Sequence, residues 1–270
     1  MINIDRLALA DFFTPEELVN EIFRQCPDLR IPIPVKDIAK ACGIIDIVEL
    51  GLSENSRLEG MLVSDSVKEY GIIFHKKHTD ISGRERFSIA HELGHHLLQH
   101  HSPNNYCIDN FTSYYQKEFE VEANAFSELL LMPESIVLPD LNSKDVSLNL
   151  FNEISSRLDV SFSAMANRCC KLLSLPMAIV HAKDNVCSYC WANWDALASW
   201  KLKYLKEQAL PLESLIVNER ALQNEITDKQ VVSSNAWFEE SEGYSLPERV
   251  LEQTYYQDNG YSVTLVLVCS

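Results

Sequence analysis

The sequence predicts an α+β protein, helical around its most reactive residues and rich in strands toward its C-terminal end. Three observations carry that prediction. His91-Glu92-Leu93-Gly94-His95 lies on an apolar stripe of helical spacing made by Phe87, Ile89, Ala90, Leu93, Leu97 and Leu98. Residues 118–126 show the same period, with Phe119, Ala123, Phe126 and Leu130 on one side. Near the end, two apolar runs at 250–256 and 261–269 flank Asp258-Asn259-Gly260, a strong hairpin signal. At 270 residues the chain is long enough for one large domain or two ordinary ones.

The first thirteen residues carry Asp5, Arg6 and Asp11 instead of a basic start followed by an apolar core, so they do not read as a secretion signal. No apolar run approaches the length that spans a bilayer, and a cytoplasmic protein is expected. Ser82-Gly83-Arg84-Glu85 has the form of a capping box ahead of the histidine helix.

On that helix His91 and His95 are four residues apart and leave one face, where two neutral imidazoles can share a Zn²⁺ ion. Glu92 is then placed to act as general base toward a water that the metal activates. Gly94 weakens the helix by roughly 1 kcal/mol relative to alanine, a cost that makes sense where something bulky approaches. A third ligand is needed. His101 has the spacing of one zinc-protease pattern, but that pattern puts a turn-forming glycine where Leu98 stands. With Leu98 the helix is expected to continue and carry His101 to its far side, leaving His96, His100 and His101 as a solvated or partly packed helix end. Glu120 is the leading third ligand, with Asn124 one turn later to orient a ligating histidine. Glu122 is the fallback, because it points about 200° away around the helix. Cys107 is a further candidate ligand for a resting state, and His75, His78, Tyr114 and Tyr115 are candidate oxyanion donors by sequence proximity.

The run Arg86-Phe87-Ser88-Ile89-Ala90-His91-Glu92-Leu93-Gly94-His95 is followed by Glu120, Glu122-Ala123-Asn124-Ala125-Phe126 and Leu130-Leu131-Met132-Pro133. This series resembles the ImmA/IrrE family of metallo-endopeptidases; upstream, Ile33 to Ala39 followed by Cys42-Gly43-Ile44 is similar to the family's first helix and strand, and Tyr70 to Phe74 to the strand ahead of its motif helix. The likeness spans about residues 12–175 and thins beyond. It implies a small zincin-like peptidase domain with gluzincin-type zinc coordination by His91, His95 and Glu120, and Glu92 as the catalytic residue. It also implies cytoplasmic regulatory proteolysis, typically of a helix-turn-helix repressor. Zn²⁺ is the expected metal, with Mn²⁺ the alternative.

Residues 148–158 and 162–173 read as two short helices joined by Asp159-Val160-Ser161, the layout of a helix-turn-helix. Arg168 and Lys171 are too little positive charge for groove reading, and two helices packed against the peptidase core is the simpler expectation. Past Pro176, strands are expected at 177–182 and 186–191, a mixed segment of helical pattern at 195–223, and a strand at 230–238. The organisation this gives is a peptidase domain at 1–140, a helix-turn-helix-like segment at 141–175, and a C-terminal α+β regulatory domain at 176–270. By analogy with the family that last domain is GAF- or PAS-like. Trp191, Trp194, Trp200 and Trp237 are read there as core or interface residues.

Eight cysteines are too few and too scattered for a disulfide scaffold. Cys187 and Cys190 have metal-pair spacing, but Cys169-Cys170 is an adjacent pair, so buried thiols are expected rather than a second metal site. The formal charge of −16 argues against a strong phosphate-neutralising surface and suits a basic protein partner. Two other readings fit the same residues: a metal- or stress-sensing regulator that cuts nothing, and an interaction module with a structural zinc.

Overall fold

In a computed structural model the chain forms two contact units. One comprises residues 1–134 with 155–161, and the other 135–154 with 162–270. The structure describes residues 2–51, 58–77, 82–108, 114–203, 206–214 and 224–269, with backbone alone at 82, 105–108 and 114–116.

The first unit opens with α1 (Arg6–Leu9), α2 (Pro15–Gln25) and α3 (Val35–Ala41), then β1 (Ile44–Leu50), β2 (Leu58–Ser64) and β3 (Gly71–Lys76). Helix α4 (Ser82–Leu97), strand β4 (Asn104–Ile108) and helix α5 (Tyr114–Leu131) complete it. Thr14 and Glu17 form a reciprocal capping box that starts α2, and Pro15 at its first turn costs no hydrogen bond there. The four strands lie in the order β1-β3-β2-β4, with β1 parallel to β3 and the other pairs antiparallel. Helix α4 packs on β2 and β3 and against α3 and α5, while α2 packs on α5. Leu62 and Ile73 from the sheet meet Ile89 and Leu93 from α4 in a buried core that also holds Leu18, Ile22, Phe126 and Leu130. The Ser82 side chain lies outside the described residues, so the expected capping box does too.

The second unit contains α6 (Glu134–Ser143), which has Pro139 inside it, then α7 (Leu148–Leu158) and α8 (Phe162–Leu172). The last turn of α7 groups with the first unit. Strands β5 (Met177–Lys183), β6 (Val186–Ala192), β8 (Glu225–Ile226), β11 (Arg249–Tyr256) and β12 (Tyr261–Cys269) form an antiparallel sheet in the order β6-β5-β12-β11-β8, with β9 (Gln230–Val232) on β11. A short pair, β7 (Lys201–Leu202) with β10 (Phe238–Glu239), helix α9 (Ser234–Trp237) and a 3-10 turn (Asp258–Gly260) complete the described elements. Side chains of β12 are buried on both faces from Ser262 to Val268, as its near-continuous apolar run requires. One face of the sheet meets the helices: Phe162 packs edge-on to Tyr255 at 4.7 Å, and the Gln253 side chain accepts from the Leu148 amide at 2.7 Å. The other face carries a cluster of Val180, Leu197, Trp237, Phe238, Val250 and Val266. Glu252 is buried in that cluster, where it accepts from Trp237 Nε1 at 2.8 Å and Ser214 Oγ at 2.9 Å.

The α+β class is as expected, and the hairpin forms where its turn residues put it: Asn259 and Gly260 both take positive φ. The segment expected to be helical at 195–223 is instead turns and the two residues of β7 in its described part; 204–205 and 215–223 lie outside it. The strand expected at 230–238 divides into β9, α9 and the start of β10, because Trp237 must turn inward to reach Glu252. The two-helix pattern at 148–172 is present, but most of α7 and all of α8 group with the C-terminal sheet and not with the peptidase core as expected. Arg168 is 7 % exposed and Lys171 stacks on the Trp191 ring at 4.8 Å. No helix among the described residues is long and apolar enough to cross a membrane.

Candidate metal centre

Helices α4 and α5 cross where Gly94 faces Phe126. A Cβ built on Gly94 would stand 3.2 Å from three atoms of the Phe126 side chain. The bulky neighbour that the sequence implied is therefore a core phenylalanine. This close approach sets His91 and His95 against the first half of α5, and the two histidine Nε2 atoms lie 3.2 Å apart. Glu120 joins them, with Oε2 at 3.1 Å from His91 Nε2 and Oε1 at 3.4 Å from His95 Nε2. Asn124 Oδ1 lies 3.0 Å from His91 Nδ1. As a carbonyl oxygen it accepts, so Nδ1 carries the proton and the bare Nε2 lone pair faces its neighbours.

That arrangement fits a cation. Zinc bonds of about 2.0–2.1 Å in a tetrahedron place ligand atoms roughly 3.3–3.4 Å apart. The three observed separations come within a few tenths of an ångström of that. A lone pair aimed at a carboxylate is repulsive unless a proton or a metal lies between them. Burial pushes His91 down, but hydrogen bonding to Glu120 and the charges of Glu92 and Glu120 outweigh it and lift His91 above its ordinary value. Burial also opposes ionisation of Glu120, yet the hydrogen bonds from His91 and His95 hold its carboxyl down to about 2. Burial leaves His95 below its ordinary value despite the pull of Glu120.

Glu92, the residue after the first ligand candidate, is buried, and its carboxylate lies against Gly60 of β2. A Cβ at position 60 would collide with Glu92 Oε1, so the strand leaves room for this carboxylate only because residue 60 has no side chain. The pairing of β2 with β4 also shifts register between Leu58 and Gly60.

Helix α4 was expected to run on through Leu98. It stops at Leu97 instead. Lys68, buried in the turn before β3, donates its ammonium to the carbonyls of His95 at 2.7 Å and Leu98 at 2.6 Å. This cation satisfies the end of the helix and complements its dipole, so no glycine is needed. Burial lowers the Lys68 ammonium to about 8. The chain then turns back and places His101 Nδ1 at 2.8 Å from His95 Nδ1. His96 and His101 are accordingly buried, a correction to the solvated helix end expected from sequence. His101 Nε2 reaches Glu122 Oε2 at 2.7 Å, and the half-exposed His100 reaches the same oxygen at 2.6 Å. His101 and Glu122, the alternative ligands, thus stand together behind His95 rather than beside Glu120.

Of the candidate oxyanion donors, His75 is buried on β3, its Nδ1 3.2 Å from the Lys76 carbonyl. His78 and the side chains of Cys107, Tyr114 and Tyr115 lie outside the described residues. The described cysteines are free thiols, and burial pushes Cys170 up to about 11 and Cys190 up to about 12. Among the described residues they join no metal-holding group; the only such groups are His91/His95/Glu120 and His100/His101/Glu122.

Residues 53–169 match the family model Peptidase_M78, the IrrE N-terminal-like domain. This stretch is similar to the IrrE N-terminal-like domain. It contains all of α4 and α5, hence every donor of the candidate centre. The likeness stops near the end of α8, so the sheet of the second unit falls outside the peptidase domain's match. No curated protein matches the chain.

Proposed function

We propose that this chain is a zinc-dependent endopeptidase of the ImmA/IrrE type. It acts in the cytoplasm on a protein substrate, a helix-turn-helix repressor or antitoxin, whose cleavage relieves repression. The observation that carries this reading is the convergence of His91, His95 and Glu120, with Glu92 on the same helix beside them. The family match at 53–169 supports it. The division into a peptidase domain at 1–140, a helix-turn-helix-like segment at 141–175 and a C-terminal regulatory domain at 176–270 belongs to the same proposal.

Zn²⁺ supplies Lewis acidity toward the scissile carbonyl oxygen and acidifies water toward neutrality, with Mn²⁺ the alternative metal. His91 and His95 offer Nε2, and Glu120 offers its carboxylate, to hold the ion. Asn124 keeps the His91 proton on Nδ1, so the ligating nitrogen stays bare. Glu92 takes a proton from the attacking water on a carboxylate oxygen and passes it to the leaving amine nitrogen. Gly60 leaves the space in which that carboxylate sits. A repressor that binds DNA is basic, and a chain of formal charge −16 attracts it at long range.

The test incubates the purified chain with repressors encoded beside it, with and without Zn²⁺ or Mn²⁺, and follows cleavage by mass spectrometry. Glu92→Gln should retain stoichiometric metal and lose cleavage by about 10²–10⁴-fold, the usual contribution of a general base. Cleavage by Glu92→Gln at the wild-type rate would overturn the mechanism. Metal binding with no neighbouring repressor cut would overturn only the substrate.

A further inference from the structure

The residues behind His95 present two incompatible arrangements, and the positions of their protons choose between them. His100, His101 and Glu122 bring three donor atoms together and have the composition of a second metal site. His95, however, ligates through Nε2 in the proposed centre, so its proton must sit on Nδ1. Nδ1 lies 2.8 Å from His101 Nδ1, and that nitrogen must therefore accept. The His101 proton is then on Nε2, aimed at Glu122 Oε2 at 2.7 Å. A nitrogen that carries a proton cannot bind a metal. With the first centre loaded, the second cannot take a metal through His101 unless the ring becomes an imidazolate.

We propose that His101 and Glu122 form a positioning relay for His95, in which His95 Nδ1–H donates to His101 Nδ1 and His101 Nε2–H donates to Glu122. This inference rests on the metal reading of His91, His95 and Glu120. The relay fixes the tautomer and ring plane of His95, and the Glu122 charge at its far end raises the basicity of the ligating nitrogen. The pieces are held by packing. His101 is 3 % exposed, with the Phe119 ring 4.5 Å from its own, and Glu122 lies on the same helix as Glu120. His91 is oriented differently, through the single amide of Asn124, so the two histidines are served by a neutral and an anionic partner respectively.

The full chain is tested by zinc titration against a chromophoric chelator, with metal counted per chain and the visible spectrum recorded after Co²⁺ substitution. One zinc per chain is expected. Glu122→Gln, half-exposed and nearly isosteric, should weaken zinc about tenfold, and His101→Asn about tenfold or more. The double variant should bind no more weakly than His101→Asn alone, because Glu122 acts through His101. A shift of the Co²⁺ bands in Glu122→Gln should accompany the loss, which a purely structural role would not produce. If wild type binds one zinc and both single variants stay within twofold of it, the relay is wrong and the metal centre stands. Two zinc ions per chain, with one lost in Glu122→Gln, would make His101 a ligand and overturn the relay. No zinc on the wild-type chain would overturn the metal reading, and the relay with it.

Discussion

A neutral histidine buried in the second unit gives a sign that can be checked without any substrate. His181 on β5 is 6 % exposed, hydrogen-bonds Asn167 through Nε2 at 2.8 Å and stacks on Tyr189 at 4.2 Å. Burial lowers it to about 4 from an ordinary 6.5. Between those values the unfolded chain binds the proton and the folded chain does not, so stability falls as pH drops through that window. The loss should be about 2 kcal/mol between pH 7 and pH 5. Urea titrations at the two pH values should show it, and His181→Gln, which keeps a neutral donor toward Asn167, should remove it. At the candidate metal centre, Asn124→Ala should leave the fold intact and weaken the proposed zinc binding by about 10–100-fold, since it frees the His91 ring and its tautomer. Equilibrium dialysis against a chelator would measure this, and unchanged affinity would show that the Asn124 contact orients nothing.

At the scale of elements, α4 and α5 were legible because helical period and ligand spacing coincide in both segments: the side chains that must share a face are the ones that pack. The hairpin between β11 and β12 was legible for a similar reason, since Asn-Gly meets the turn's demand for positive φ. The end of α4 was not legible. It depends on Lys68, a residue 27 positions before the carbonyl of His95 it serves, and no local pattern announces a cap supplied from another element. The same blindness hid the contact of His101 with His95, because its consequences appear only once the chain has turned back. Gly60 did leave a trace, as a lone glycine in a strand, which signals a bulge or a close approach. Two variants test these elements. Lys68→Met removes the ammonium from the carbonyls of His95 and Leu98, the second of which keeps the His101 amide, and should cost about 1–3 kcal/mol in chemical denaturation. Gly94→Val, which crowds Phe126, should cost about 1–3 kcal/mol by the same measurement, and a neutral result would mean that α4 and α5 can separate freely.

At the scale of the whole molecule, charge and metal linkage make separate predictions. With 39 acidic against 23 basic side chains, and Arg168 buried, the chain should not retard duplex DNA at micromolar concentration in 150 mM salt. Retardation under those conditions would favour a DNA-reading regulator over a peptidase. Metal removal should act locally. Hydrogen exchange after chelation should rise in α4 and α5, which carry the centre, and stay constant in β5, β11 and β12.

If the proposed peptidase reading holds, Gly60 is a position where cutting and binding can be uncoupled by one methyl group. The atom that an alanine would strike is the tip of a flexible side chain, so the fold can yield cheaply while the base is displaced. None of the three metal donors needs to move. Gly60→Ala should therefore give a chain that still captures its target and leaves it whole, a trap from which the partner can be isolated and identified.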